Sequence, residues 1–169
     1  MSKKMFFIIG IAFTLATTTA FAQDEPAPSS GNSYKTALGV RLSSAAASVN
    51  NSISLKHFIS DNTAIEVLFS FGDPLAIGAL VEKHKPLAAS GLQYYYGGGG
   101  YLSFVKTFNP NKNRNETDPN IGAMGVIGLD YKFNNAPLNI SLDWKPELNI
   151  VSDINFEPAA IGFTARFTF

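Results

Sequence analysis

The chain has 169 residues, with 13 Lys and Arg against 13 Asp and Glu, two His and no Cys. That is one domain's worth of chain, with no disulfide available to it. The balanced charge argues against nucleic acid, a partner that calls for a basic face. No segment beyond the first residues reaches the length and apolarity of a membrane helix. A mean hydropathy of +0.07 still leaves room for a membrane barrel, whose two faces alternate and nearly cancel.

Residues 1–22 read as an export signal. Lys3 and Lys4 precede an apolar core, Met5 to Leu15, and Ala20-Phe21-Ala22 supplies the small-x-small cleavage pattern. The core is shorter than the ~20 residues that a spanning helix needs. Cleavage before Gln23 leaves 11 basic against 13 acidic residues. With no Cys after the site, no lipid anchor is expected. Residues 23–33 are rich in Pro, Ser, Ala and acid and read as a flexible periplasmic leader.

From residue 34 onward the chain breaks into short alternating segments separated by turn residues. The first, Tyr34 to Ser43, sets Leu38, Val40 and Leu42 against Gly39 and Arg41. The second, about Asn51 to Ser60, opposes Ile53 and Leu55 to Ser52, Ser54 and Lys56. The third, Thr63 to Phe71, puts Ile65, Val67, Phe69 and Phe71 opposite Glu66 and Ser70, and Gly72-Asp73-Pro74 turns the chain. The fourth, about Ala76 to Lys85, alternates Ile77, Ala79 and Val81 with Gly78 and Glu82.

The fifth, Leu92 to Lys106, carries Gly97-Gly98-Gly99-Gly100 amid tyrosines, which marks a bend or room for neighbouring rings. Thr107 to Pro119 reads as the longest polar loop. The sixth, Asn120 to Phe133, places Ile127, Leu129, Tyr131 and Phe133 opposite Asp130 and Lys132. The seventh, Leu138 to Ile150, sets Leu138, Ile140, Leu142 and Trp144 against Asn139, Ser141, Asp143 and Lys145. The eighth, Ala159 to Phe169, has Ile161, Phe163, Ala165, Phe167 and Phe169 on one side and Gly162, Thr164, Arg166 and Thr168 on the other.

Eight strands, most of them near the ~9–11 residues that cross a bilayer at a tilt, predict an all-β fold: an antiparallel up-and-down transmembrane barrel over residues 34–169. With both termini on the inner side, the even-numbered connections are short and the longest one lies outside, as in such barrels. The terminal Phe with its alternating apolar partners resembles the closing strand of bacterial outer-membrane barrels. Gly128-Leu129-Asp130-Tyr131-Lys132-Phe133 and Leu142-Asp143-Trp144-Lys145-Pro146 look like the final strands of small Bacteroidota-type outer-membrane proteins. The whole is similar to the eight-stranded OmpA/OmpX-like class. The resemblance implies export to the outer membrane and lipid around the barrel. It also implies barrel-assembly machinery and periplasmic chaperones as biogenesis partners, with Phe163, Phe167 and Phe169 as the assembly signal. A monomer is expected, and no domain after the closing strand.

The apolar face gathers aromatics near strand ends, Phe71, Tyr131, Phe133 and Trp144, as interface girdles do. The polar face carries Arg41, Lys56, Lys132, Lys145 and Arg166 against Glu66, Glu82, Asp130, Asp143 and Glu147. In a narrow lumen such charges must pair or meet water. A filled eight-stranded interior leaves no general pore, only a small gated conductance. The competing reading, a secreted soluble barrel binding a small apolar ligand, requires the opposite: apolar side inward, charges in water. His57 and His84 read as interfacial or turn histidines despite Ser60 and Glu82 close by in sequence. No catalytic residue, cofactor or metal site is expected, and the role is structural, surface contact or minor solute passage.

Overall fold

A computed structural model describes residues 34–43, 48–71, 74–109, 113–151, 154–158 and 160–169. The export signal and the leader lie outside the described residues, as does most of the Gly72-Asp73-Pro74 turn. Ten strands form one sheet: β1 Thr36–Ser43, β2 Ser52–Ser60, β3 Thr63–Ser70, β4 Leu75–Pro86, β5 Leu92–Asn109, β6 Arg114–Lys132, β7 Leu138–Trp144, β8 Glu147–Asn149, β9 Asn155–Glu157 and β10 Ile161–Thr168. Neighbours are antiparallel around a ring in which β5 pairs with β6 and β1 with β10. The ring is a closed barrel of eight strands, with β8 continuing the seventh and β9 leading into the eighth.

The sheet closes at the termini. Thr36 and Phe169 exchange both backbone hydrogen bonds, at 3.0 and 2.9 Å. The eight-stranded wall thereby has no open edge, which a barrel in lipid requires because no water is there to satisfy open backbone groups. The turns at this end are short: Asp61-Asn62, residues 87–91 and residues 133–137. Gly91, at φ 79°, supplies the left-handed residue in the second of them.

Three differences from the sequence reading concern strand extents. Thr107 to Pro119 is mostly not a loop: β5 and β6 stay paired from Phe104↔Pro119 out to Asn109↔Arg114 and turn back through Asn113, at φ 47°. They run past β4, which ends opposite Phe104 at Leu75. The seventh strand is broken after Trp144, because Pro146 has no N–H for the ladder. Beyond it, β8 and β9 form a small hairpin on the edge of β6.

Alternation holds along every barrel strand. On β10 each second residue is buried, and the rest are exposed. β2 and β4 do the same. The buried side is the interior, and the exposed side carries Leu, Ile, Val and Phe. Leu142 is 55% exposed and Phe163 46%, while Lys56 and Lys145 are 0%. A water-soluble protein arranges these residues the other way round.

Candidate functional site

The interior is the candidate site, and its occupants follow from strand parity. Counting from the termini end, an aromatic group comes first. Tyr34 meets Phe58 edge-on at 5.2 Å, Phe58 meets His84 at 4.9 Å, and His84 stacks on Tyr95 at 5.1 Å and 10°. His84, expected in a turn or at an interface, is therefore buried inside. Its place on β4 two residues after Glu82 gives both the same inward parity. His57 has the opposite parity and is exposed, with Nδ1 2.9 Å from Thr36 Oγ1.

Next comes the charged centre. Arg166 forms an ion pair with Glu66. It also donates from Nε to Ser54 Oγ at 2.7 Å, and from Nη1 to Asn139 Oδ1 at 3.1 Å and Ser141 Oγ at 2.9 Å. The Ser54 hydroxyl in turn donates to Glu66 Oε1 at 2.5 Å. Lys56 Nζ lies 2.8 Å from Glu82 and 3.6 Å from Asp130, and 4.3 Å from the Tyr95 ring centroid. Asn139 Nδ2 donates to Asp130 Oδ2 at 2.6 Å. The planar guanidinium can satisfy four partners at once, which the ammonium of a lysine cannot do in the same plane.

Further out, Arg41 Nη2 lies 2.5 Å from Asp143 Oδ1, and the Tyr95 hydroxyl donates to Asp143 Oδ2 at 3.3 Å. Space for these large groups comes from glycine. A Cβ on Gly162 would sit on the Arg41 guanidinium, and one on Gly128 would come within 2.8 Å of the Tyr95 ring. At Gly97 and Gly99 β4 lies so close that a Cβ would run into the Val81 and Ala79 carbonyl oxygens.

The outer end is plugged. Lys145 pairs with Glu147, whose Oε2 accepts the Ser48 N–H at 2.8 Å and whose Oε1 accepts that of Val49 at 3.3 Å. Residues 48 and 49, ahead of β2, are thereby held against the interior, and Val49 is buried among Leu68, Ala76, Leu80, Tyr101, Met124 and Val126.

Nine of the ten charges expected in the lumen are brought together there. Lys132 is not among them. The last residue of β6, it donates to the carbonyl oxygens of Phe133 at 2.6 Å and Ala136 at 2.9 Å and holds the 133–137 turn. Among the described residues the interior therefore holds five carboxylates against four cations. Glu82 Oε2 also lies 3.1 Å from His84 Nε2, which joins the charged centre to the aromatic group. Sequence reasoning missed Tyr95, which parity between Tyr94 and Tyr96 could have found, and Val49, for which a connecting segment offers no period.

The other expected positions lie on the outside. Phe71, 57% exposed, and Trp144, 45%, are at the outer end, where Trp144 Nε1 donates to the Pro158 carbonyl at 2.5 Å. Tyr131 and Phe133 pack edge-on at 4.8 Å at the termini end. Phe163, Phe167 and Phe169 all point outward along the closing strand, the last two 6.4 Å apart.

No protein-family model and no curated protein matches the chain. Among solved structures it is similar to the crystal structure of the N-terminal β-barrel domain of Pseudomonas aeruginosa OprF. The TM-score is 0.61 at 14% identity, covering 82% of this chain and 98% of that one. The chain has the fold of the OprF barrel. At that identity the likeness is one of strand number, order and closure.

Proposed function

We propose that the protein is an integral outer-membrane β-barrel, exported by residues 1–22, with a structural or surface-contact role and at most minor passage of small solutes. One observation carries this reading: a closed eight-stranded barrel with a continuous apolar exterior and its charges inside. In water the exterior would be a patch far larger than soluble monomers tolerate, whereas in lipid it is the solvated side. The soluble ligand-binding alternative needs an apolar interior, and this interior is charged and filled.

The filled interior favours a structural role over a pore. Arg166, Lys56, Arg41 and Lys145 are each paired with carboxylates across the interior, and Val49 is buried in an apolar cluster beyond them. Conduction would require these pairs to exchange partners. We read Phe71 and Trp144 as one interfacial girdle and Tyr131 and Phe133 as the other. Phe163, Phe167 and Phe169 are read as the signal for the barrel-assembly machinery, reached with the help of periplasmic chaperones. The barrel acts as a monomer of the OmpA/OmpX-like, Bacteroidota-type class.

A heat-modifiability gel on the outer-membrane fraction tests this. The expected result is a band from that fraction that migrates differently before and after boiling in SDS. Soluble periplasmic protein with one mobility would overturn the membrane reading.

A further inference from the structure

We infer that the outer wall of β4 and β5 holds one anionic glycerophospholipid of the inner leaflet, an inference that rests on the membrane reading above. The charges outside the lumen are sorted by end. At the termini end the described residues are Lys35, Lys83, Lys85 and Lys132 against Asp61; at the far end they are Lys106 and Arg114 against Glu116, Asp118 and Glu157. Two of the lysines, Lys83 and Lys85, are on the lipid-facing side of β4, which is otherwise apolar: Leu75, Ile77, Ala79 and Val81 precede them with the same parity. A lysine there must reach the headgroup layer, so the hydrocarbon boundary falls between Val81 and Lys83.

The two lysines are two residues apart, about 6.6 Å along the strand, a spacing that lets both ammonium groups approach one phosphodiester. They sit beside phenols. Lys83 pairs in register with Tyr96 and Lys85 with Tyr94, the two rings stack at 6.4 Å, and Lys85 Nζ is 6.0 Å from the Tyr96 centroid. Lys83 Nζ is already oriented by Thr63 Oγ1 at 2.6 Å. The hydroxyls of Tyr94 and Tyr96 add donors for phosphate or glycerol oxygens at the level where such rings settle. Positive charge at short range from a phosphate layer is favourable, whichever anionic headgroup carries it.

Directly beneath the lysines the wall is hollow. The next two outward rows read Val81, Gly98, Gly125 and then Ala79, Gly100, Ala123, in register. Nothing but backbone lies near a Cβ built on Gly98 or Gly100, at 3.4 and 3.3 Å. Side chains resume with Leu102 and Ile121. This shallow floor, one strand spacing either side of β5, accommodates the upper part of one acyl chain whose phosphate is held at Lys83 and Lys85.

The test uses the chain purified in neutral detergent from membranes of the expressing bacterium and checked for the heat-modifiable band. Native mass spectrometry is run after adding phosphatidylglycerol or phosphatidylcholine. One phosphatidylglycerol retained per chain is expected, with a preference over phosphatidylcholine of about tenfold, which Lys83→Gln/Lys85→Gln abolishes and Lys106→Gln leaves intact. Gly98→Leu fills the hollow and lowers retention; should it not fold, the lysine variant decides. Equal retention of both lipids, or a preference indifferent to Lys83 and Lys85, overturns the inference. So does a two-chain species that Gly98→Leu splits, because the hollow would then seat a second copy. Absence of the heat-modifiable band fails the membrane reading instead.

Discussion

Arg166→Met tests whether the interior is packed or wet. Arg166 and Glu66 have side chains 0% and 4% exposed, and the guanidinium holds Ser54, Asn139 and Ser141 as well. Methionine fills most of the volume but leaves Glu66 with Ser54 as its nearest donor and five carboxylates facing three cations. Breaking a buried pair by removing one partner costs about 3–5 kcal/mol. Three neutral partners lose a donor at the same time, and we expect a loss of about 4 kcal/mol. Glu66→Gln added to Arg166→Met removes the stranded charge and should regain about half of that. Unfolding in urea from lipid vesicles, followed by the fluorescence of Trp144, the chain's single tryptophan, measures both. A loss under about 1 kcal/mol is what a solvent-exposed pair gives. That result would mean a water-filled lumen and refute the packed plug.

Leu142→Arg places a charge on the outward face, where a bilayer centre penalises it by about 2–4 kcal/mol; the yield of folded barrel in vesicles should fall, and an unchanged yield would mean that Leu142 faces water. Gly162→Ala pushes the Arg41 guanidinium off Asp143 and should cost about 1–3 kcal/mol, read as a lower urea midpoint at unchanged slope. Phe169→Ala should reduce the amount of barrel assembled in cells while leaving unassisted folding into vesicles nearly unchanged; equal assembly in cells would end its role as a recognition signal.

Strand faces were legible because alternation with period two survives wherever one side faces out of the barrel and the other into it. Arg41, Glu66, Asp143 and Arg166 were placed inside by parity alone. The same signal fails where the surroundings become uniform. Past Phe104 and Pro119 the residues whose burial is described are exposed or half-buried on both sides of the β5–β6 hairpin, apolar residues thin out, and a paired ribbon of polar residues reads as a loop. Lys132 has inward parity, but it ends its strand at a turn whose carbonyls are nearer than any carboxylate of the centre. The break at Lys145-Pro146 was read through as one strand to Ile150 although Pro146 stands in it; that the chain resumes pairing as β8 depends on β6 being longer than its neighbours. Val49 shows the opposite case, a residue in a connection that is buried because Glu147 binds the backbone of its segment. Contacts of that kind carry no local pattern.

The pairing of Arg166 with Glu66 across 100 residues of chain bears on how such a sequence can change over generations. A substitution at either position passes through a state with an unmatched charge in the lumen, so the two are free to vary only together, or after a neighbour such as Lys56 has taken over. The outward positions obey no such rule, since lipid accepts Leu, Ile, Val or Phe in any order. Drift should therefore be fast on the outer wall and halting within, leaving an ancestry more readable from the interior pairs than from the chain as a whole.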